Sequence, residues 1–366
     1  MVDVYSVVLI QADRRDVSHR KEIKGSNLNR VLELIDNSAP RLGFPFYAPT
    51  KLVVFPEVFM QGWHLQEPSP YSIWWEKVAK DIAIEIPGEE TELLAKKAKA
   101  YGTYIAGTAH EVIPEIGADV PLNCGFIISP KGEVVYKYHK FNTGVSSIWL
   151  DDISPHDLGE RYIKVMDGKY GRTKGDIVSC FFPVLETEIG KIGYQICADL
   201  IYVENARAFG MQGCELMIQS SGMIEPHGQP PQQQWELCNR SAAMFNMMYV
   251  AGCAPGDYLM DNHPKNATPG QSMVVDYEGC LIQHVTYPGE TATAAVVNMD
   301  MLRRRRADPK FNKLASLRTE IYREMYKPRY PANLYEKGGI PKTVKERQDK
   351  LPLQSLLDER IFIPPA

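Results

Sequence analysis

The feature that most constrains this fold is the alternation of short β-branched apolar runs with stretches of helical spacing. Residues 4–11 indicate a buried strand, and the apolar positions between Leu28 and Ile35 then recur at helical spacing. A second short apolar run covers residues 51–55, and an amphipathic helix at 89–101 leads into a strand at 104–112. Strands that alternate with helices are typical of α/β proteins, so we predict this class.

The second half of the chain adds strands that come in pairs. Residues 123–129 and 133–138 flank Pro130-Lys131-Gly132, which predicts a hairpin. Further strands are predicted at 190–196, 215–219, 248–253, 272–276, 281–285 and 291–298, with helices at 203–212 and 235–246. Paired strands set between helices favour two sheets packed face to face with helices outside.

Composition narrows the classes of function. The 366 residues suit one large or two medium domains, and 44% hydrophobic residues suffice for a core. A net charge of -4 gives no basic surplus for phosphates, so we expect small-molecule ligands and no nucleic acid partner. The first residues lack a signal-peptide pattern, and no apolar stretch is long enough to span a membrane, which predicts a soluble cytoplasmic protein.

The character of the chain changes beyond Asp300. A basic run at 303–306 is followed by a short helix and a Pro-rich, charged tail, so we divide the chain into a domain of residues 1–300 and an extension of residues 301–366. A basic run favours a solvated helix face. The alternative is that the extension packs on a neighbouring subunit.

One cysteine occupies a special position. The seven cysteines include no C-x-x-C pair, so neither a disulfide framework nor a structural zinc site is indicated. Cys197, however, directly follows the strand ending at Ile196 and precedes the predicted helix from Val203. A nucleophile on such a tight turn is exposed at the sheet edge, beside free backbone N–H groups that can hold an oxyanion.

A thiol needs activation at neutral pH, and two further strand ends supply candidates. Glu57 follows the run at 53–56, where we expect a raised pKa suited to moving protons. Lys140 follows the strand ending at His139, where its ammonium would lower the thiol pKa and polarise a carbonyl. A single glutamate or lysine at a strand end is more often solvated than catalytic. Together with Cys197, they provide a base, a cation and a nucleophile.

These residues lie in segments that resemble a known family. Phe55-Pro-Glu-Val58, Tyr138-His-Lys-Phe141 and Gly193-Tyr-Gln-Ile-Cys-Ala-Asp199 are similar to the three motifs of the nitrilase superfamily, the carbon-nitrogen hydrolases with a Glu-Lys-Cys triad. The segments 123–132 and 270–279 support the resemblance, which covers about residues 4–300. Three motifs in this order and at this spacing are far more specific than any one alone.

The resemblance implies a four-layer α-β-β-α sandwich that forms a homodimer or a higher oligomer through its helices. It implies that Glu57 takes the proton of Cys197, whose sulfur attacks an amide carbon, while Lys140 and the Ala198 N–H stabilise the oxyanion. A thioester forms and is then hydrolysed by water that Glu57 activates. The resemblance implies no metal and no organic cofactor.

Many members of the superfamily carry a second glutamate between the lysine and the cysteine. The resemblance places it at Glu160, whereas Asp151 or Asp152 could lie closer to Lys140, and Glu160 could equally form a surface salt bridge. The polar segment 142–175 is predicted to form part of the pocket wall with the substrate-binding candidates Trp149 and Tyr162.

The residues after the nucleophile bear on the substrate. Nitrilases proper usually carry Cys-Trp-Glu, whereas Cys197-Ala198-Asp199 is closer to aliphatic amidases and N-carbamoyl amino acid hydrolases. We therefore expect a small amide substrate, with N-carbamoyl compounds and then nitriles as alternatives. Further candidates for substrate contacts are Ser221 and His227, and a carbamoyl amino acid would also need a cation, for which Arg161, Arg207 and His227 are available. A catalytically silent binding or scaffolding protein is the non-enzymatic alternative.

Overall fold

A computed structural model of the chain describes residues 2–43, 48–62, 74–142, 153–172, 176–222, 233–259, 268–326, 340, 344–349 and 353–363. The strands are β1 Val4–Gln11, β2 Thr50–Val54, β3 Tyr104–Ile113, β4 Gly117–Ile128, β5 Val134–His139, β6 Leu185–Thr187, β7 Gly190–Ile196, β8 Leu216–Ser220, β9 Tyr249–Cys253, β10 Met273–Val275, β11 Leu281–His284 and β12 Thr291–Asn298. The predicted strands therefore all form, and their ends shift by a few residues at most, except that β4 begins earlier.

The helices surround these strands. They are α1 Asn29–Leu42, α2 Trp74–Lys77, α3 Glu89–Tyr101, α4 Pro155–Leu158, α5 Glu160–Tyr170, α6 Ile177–Phe181, α7 Val203–Met211, α8 Gln234–Asn246, α9 Met299–Ala307, α10 Thr319–Tyr326, α11 Val344–Asp349 and α12 Leu353–Asp358. Shorter helical turns cover Arg20–Glu22, Lys24–Leu28, Val78–Ile82 and Cys197–Ile201.

The strands form two mixed sheets of the same design. The first has the order β12-β1-β2-β3-β4-β5 and the second the order β11-β10-β9-β8-β7-β6. In each sheet three central strands run parallel, namely β1, β2 and β3 in the first and β7, β8 and β9 in the second. The strands next to these three, β12 and β4 in the first sheet and β6 and β10 in the second, are antiparallel to them, so the outermost strands β5 and β11 run parallel to the central strands again. The carboxyl ends of β7 and β8 lie side by side, and a hydrogen bond from Ser220 at the end of β8 to the carbonyl of Phe55 places the carboxyl end of β2 beside them.

Side chains from both sheets fill the space between them. This inner core includes Leu9, Val54, Tyr194 and Ile218, all fully buried. On the outer face of the first sheet, α1 and α3 cover a second core, and α7 and α8 cover the outer face of the second sheet. The predicted four-layer α-β-β-α sandwich is thus confirmed.

The polar segment before β6 contains more regular structure than the sequence indicated. Its described part folds into α4, α5 and α6, which were not predicted. Tyr162 and Met166, four residues apart on α5, are buried against Phe181 in a small separate core. The short apolar stretches of these helices, interrupted by Gly159 and Gly171, do not give a sustained helical period, which explains why the sequence pattern missed them.

The basic run on α9 contacts the sandwich of its own chain. Arg303 pairs with Glu215 and Asp3, and Arg305 pairs with Glu278. Arg306 donates to the backbone carbonyls of Met247, Gly213 and Cys214. The prediction of a solvated face is therefore wrong for these three arginines, because the helix begins directly after β12 and lies against the segments that precede β8 and β9 and the turn between β10 and β11. None of the helices in the described part of the chain has the length and apolar character needed to cross a bilayer.

These contacts predict that α9 stabilises the domain through Arg306. Arg306→Ala leaves three backbone carbonyls without their donor, so we expect a loss of about 1–3 kcal/mol in the free energy of unfolding. Arg304 is the matched control, because its only ion pair in the described residues is with Asp300 on the same exposed helix face. Arg304→Ala is expected to change stability by less than about 0.5 kcal/mol. Urea denaturation measures both variants, and equal losses would contradict this account of α9.

Candidate active site

The structure brings Glu57, Lys140 and Cys197 together at one end of the two sheets. Glu57 lies three residues beyond β2, Lys140 directly follows β5, and Cys197 directly follows β7. Glu57 is fully buried and Lys140 nearly so, whereas Cys197 is only partly buried. The three side chains thus come from three strand ends in two sheets, as the sequence predicted.

Glu57 and Lys140 form a buried ion pair. The Lys140 ammonium donates to Glu57 Oε1 over 3.0 Å, and Asn123 Nδ2 donates to the same oxygen over 2.8 Å. The second oxygen, Glu57 Oε2, is buried and has no hydrogen-bond partner among the described residues. Burial of a carboxylate oxygen without a donor is unfavourable, and it leaves this oxygen able to accept a proton.

The charges of this pair act on Cys197 in opposite directions. Burial raises the pKa of the thiol to about 12, with the Glu57 carboxylate adding to the shift. Lys140, the Gly222 backbone and the Ser221 side chain lower the pKa but do not overcome those two causes. Lys140 lowers the thiol pKa, as the sequence suggested, but the pKa of Cys197 as a whole is raised, which the sequence did not suggest. Cys197 is therefore a thiol at rest and needs a base when it reacts.

The backbone is strained at Cys197 and at Val58, the residue after Glu57. Cys197 has φ 47° and Val58, next to Glu57, has φ 43°. A β-branched residue rarely adopts a positive φ, so the Val58 turn must be held by its surroundings. Val58 N–H donates to Thr108 Oγ1, and Glu57 N–H donates to the Ser221 carbonyl over 3.2 Å. Such strain clusters at functional sites.

A buried arginine joins the Glu57 turn to the loop after β8. The guanidinium of Arg14 donates to the carbonyl of Glu57 and, over 3.1 Å, to the carbonyl of Gly222. It also lies 4.5 Å from the centre of the Tyr258 ring. Arg14 is fully buried, so it positions the Glu57 turn and the Ser221–Gly222 backbone relative to each other.

Asp199 connects the nucleophile turn to the end of β5. Its carboxylate accepts hydrogen bonds from Tyr138 Oη, Ile196 N–H, Asn142 N–H and Asn205 Nδ2. Burial raises the pKa of Asp199 to about 7, although the hydrogen bonds from Asn142, Tyr138 and Ile196 and the charge of Lys140 lower it. Because Asn142 and Ile196 adjoin the Lys140 and Cys197 segments, Asp199 ties the two strand ends together.

The other predicted site residues are distributed unevenly. Ser221 and Ala198 lie beside Cys197, and Ser221 is buried. Tyr162 is buried on the outer face of the first sheet, where its hydroxyl meets His139 Nδ1 at 2.8 Å and its ring stacks on Phe181. No described contact brings Tyr162 to Cys197.

Glu160 is exposed at the start of α5, and no ion pair involves it in the described residues. Trp149, Asp151, Asp152 and His227 lie outside the described residues.

One side-chain group in the described residues has the spacing of metal ligands, namely Glu111, Cys124 and His139. It lies on the outer face of the first sheet, and its atoms already have partners. Lys137 and His139 bind the two oxygens of Glu111, and these neighbours hold the pKa of Glu111 at about 2 despite burial. The Lys137 ammonium thus already neutralises Glu111 in this cluster.

Sequence reasoning missed Arg14, Asn123 and Asp199 as supporting residues. Asn123 and Asp199 lie within motifs that carried the resemblance, but the sequence alone did not assign roles to them. The available signal was polarity at positions expected to be buried, such as Asn123 within a strand. The partner of each polar group lies far away in the sequence, as with Asn123 and Glu57, which are 66 residues apart.

The raised thiol pKa predicts that Cys197 carries no thiolate at neutral pH. The difference in ultraviolet thiolate absorbance between the wild type and Cys197→Ala reports this residue alone, since the other cysteines cancel. We expect no difference at neutral pH and a rise only in strong alkali, toward the value of about 12. Glu57→Gln removes the negative neighbour and is expected to lower the pKa. A Cys197 thiolate already present at neutral pH in the wild type would contradict this assignment.

Asp199→Asn should weaken the link between the strand ends. The amide places a donor opposite existing donors, so we expect a loss of about 1–3 kcal/mol in the free energy of unfolding in acid. The folded pKa of about 7 lies above the ordinary aspartate value of 3.8, so the folded wild type binds this proton more tightly than the unfolded chain and loses stability as pH rises through that interval. The gap between wild type and variant in urea denaturation should therefore narrow from acid to neutral pH. A gap that widens instead means that ionised Asp199 is the favoured form.

Comparison with known proteins places this geometry in a family. The family model described as carbon-nitrogen hydrolase matches residues 9–307. The omega-amidase NIT2-B of Xenopus laevis is 28% identical over 282 residues, which cover 76% of this chain and 86% of that protein. A formamidase of Bacillus thuringiensis is 27% identical over 298 residues, covering 80% of this chain and 74% of that protein.

Solved structures show the same fold. Nit3 of Saccharomyces cerevisiae, a member of branch 10 of the nitrilase superfamily, has a TM-score of 0.63 at 22% identity and covers 86% of this chain and 97% of its own. An amidase from Nesterenkonia sp. has a TM-score of 0.58 at 16% identity and covers 89% of this chain and 97% of its own. The fold, the arrangement of the three strand ends and the family match lead to one conclusion: the chain belongs to the carbon-nitrogen hydrolase family.

Proposed function

We propose that this protein hydrolyses the carbon–nitrogen bond of a small amide through a thioester on Cys197. The observation that carries the proposal is the buried Glu57–Lys140 pair, which acts on the Cys197 thiol while Glu57 Oε2 has no hydrogen-bond partner in the described residues. The family supports an enzyme that acts on carbon–nitrogen bonds. The non-enzymatic alternative is disfavoured, because a silent protein would have no need of this unfavourable arrangement.

In the first half of the reaction, Glu57 acts as the base and Cys197 as the nucleophile. The thiol proton moves to the carboxylate as sulfur forms a bond to the amide carbon, so the high resting pKa of the thiol is no obstacle. The negative charge that develops on the carbonyl oxygen is stabilised by the Lys140 ammonium and the Ala198 N–H. Glu57 then protonates the nitrogen, the carbon–nitrogen bond breaks, and ammonia or an amine leaves.

In the second half, water completes the hydrolysis. Glu57, again a carboxylate, takes a proton from water as the oxygen attacks the thioester carbon. The oxyanion forms at the same position and is stabilised by the same two groups. Collapse breaks the carbon–sulfur bond, releases the carboxylic acid and restores the Cys197 thiol. Each proton that leaves a nucleophile thus returns to a leaving group.

Several observations favour an amide over the alternatives. The relatives named above are an omega-amidase and a formamidase. The Cys197-Ala198-Asp199 sequence departs from the Cys-Trp-Glu of nitrilases proper. Of the cations considered for a carbamoyl amino acid, Arg207 already donates to the Phe245 carbonyl on α8 over 3.0 Å. In this proposal Ser221, Trp149 and His227 contribute to substrate binding. Glu160 has less support because it is exposed, and Tyr162 because its hydroxyl is bonded to His139 on the outer face of the first sheet.

We also propose that two copies pair through α7 and α8. These neighbouring helices expose large apolar side chains, among them Val203, Met211, Leu237 and Phe245. Large exposed apolar side chains on neighbouring helices favour an interaction site. A cytoplasmic location is part of the same proposal, and the seven free cysteines fit a reducing compartment.

The proposal is tested by release of ammonia from a panel of small amides, N-carbamoyl amino acids and nitriles. Cys197→Ala should lower turnover of the best substrate by about 10³-fold or more, because the nucleophile is lost. Cys238→Ala is the matched control, since this cysteine is also partly buried but lies on α8. It should retain turnover within about twofold, as expected for a residue outside the site. If Cys197→Ala hydrolysed every compound as fast as the wild type, the proposal would be wrong.

A further inference from the structure

We infer that Gln219 positions the oxyanion donor by holding the peptide between Cys197 and Ala198, an inference that rests on the proposed function. Gln219 lies in β8 and is fully buried. Its side-chain Nε2 donates a hydrogen bond to the backbone carbonyl of Cys197 over 3.3 Å. That carbonyl belongs to the same peptide unit as the Ala198 N–H, the group proposed to stabilise the oxyanion.

Because the peptide unit is planar, the hydrogen bond from Gln219 also fixes the direction of the Ala198 N–H. The Cys197–Ala198 bond is trans, so its carbonyl and its N–H point in opposite directions within one plane. A donor that fixes the carbonyl on one side therefore fixes the N–H on the other. Ala198 is the second residue of the turn Cys197–Ile201, and an N–H in the first turn of a helix has no acceptor within that helix.

This peptide needs support from outside the turn. Cys197 has φ 47°, a left-handed conformation that is unfavourable for a non-glycine residue. The turn is a single 3-10 segment, whose internal hydrogen bonds are poorly aligned. A rotation of the Cys197–Ala198 peptide would turn the Ala198 N–H away from the position where it can meet an oxyanion. The Gln219 amide opposes that rotation.

Gln219 acts from behind the site and does not touch the substrate. Its register partner in β9 is Gly252, and a Cβ atom on Gly252 would meet Trp235 and Asn239 of α8. Gln219 therefore faces the helix layer, on the opposite side of the sheet from Ser220, whose hydroxyl faces the first sheet. Among the described residues Gln219 Oε1 has no hydrogen-bond partner. A buried amide oxygen without a donor lowers the stability of the fold, so Gln219 fits a role in positioning the Cys197 peptide better than a role in stabilising the fold.

The neighbouring strand offers a matched control in Gln195. It is the register partner of Gln219 in β7 and shares its face of the sheet and its burial. Neither polar atom of the Gln195 side chain has a hydrogen-bond partner in the described part of the chain. Gln195→Met and Gln219→Met thus make the same chemical change at adjacent buried positions, and only the second removes a donor from the Cys197 carbonyl.

The experiment separates oxyanion stabilisation from the reactivity of the thiol. Turnover is measured with the best amide of the panel, and reversible inhibition is measured with the aldehyde that carries the same acyl group. The sulfur of Cys197 attacks the aldehyde carbon, and the thiol proton moves to Glu57. The resulting thiohemiacetal carries an oxyanion, which the Ala198 N–H stabilises. Thiol reactivity alone is measured by alkylation with iodoacetamide, which displaces iodide and forms no oxyanion. Peptide mass spectrometry follows the modification of Cys197.

We expect Gln219→Met to lower kcat by about 10- to 100-fold with little change in KM, and to weaken aldehyde inhibition by a similar factor. The rate of Cys197 alkylation should stay unchanged, and Gln195→Met should match the wild type in all three measurements. Unchanged kcat and aldehyde inhibition in Gln219→Met would overturn the inference. A fall in alkylation that parallels the fall in kcat would also overturn it, because Gln219 would then affect the whole turn.

Two further outcomes are decisive. If Gln219→Met does not fold, Gln219→Leu is tested in its place, and failure of both while Gln195→Met folds would show a structural role and refute the positioning role. Failure of the proposed function has a different signature. In that case alkylation of Cys197 in the wild type causes no loss of amide turnover.

Discussion

The site depends on the hydrogen bonds that join the carboxyl ends of β2 and β8 across the two sheets. Ser220 Oγ donates to the Phe55 carbonyl over 2.7 Å, and Glu57 N–H donates to the Ser221 carbonyl over 3.2 Å. Arg14 adds two bonds to backbone carbonyls on the same two segments. Glu57 belongs to one sheet and Cys197 to the other, so their separation is set by how closely these ends meet. Without this link the sandwich would retain its core but lose the geometry that the chemistry needs.

The same region concentrates features that oppose stability. Val58 and Cys197 have positive φ, Glu57 Oε2 is buried without a donor among the described residues, and burial raises the pKa of Asp199. Each of these costs free energy, which the apolar cores above and between the sheets offset. Natural sequences usually break local rules of this kind at functional sites. The unfavourable features therefore support the location of the active site independently of the family match.

The sequence predicted most of the architecture but only part of the site. Apolar runs such as residues 4–11 fixed the strands, because burial on both faces requires continuous apolar sequence. Strand ends then indicated Glu57, Lys140 and Cys197. The roles of Arg14, Asp199 and Gln219 were not predictable, since each depends on a backbone or side-chain partner that only the packing of two sheets brings near. Similarly, α5 escaped detection because its buried positions are too few to give a period.

The central claim is that an acyl group passes through Cys197, and mass spectrometry tests it most directly. The protein is mixed with the best amide, quenched in acid within the first turnovers, and digested. The account predicts that the peptide containing Cys197 gains the mass of the acyl group, that hydroxylamine removes the added mass, and that Cys197→Ala shows no such peptide. Rapid turnover by the wild type with Cys197 unmodified in every quenched sample would contradict it.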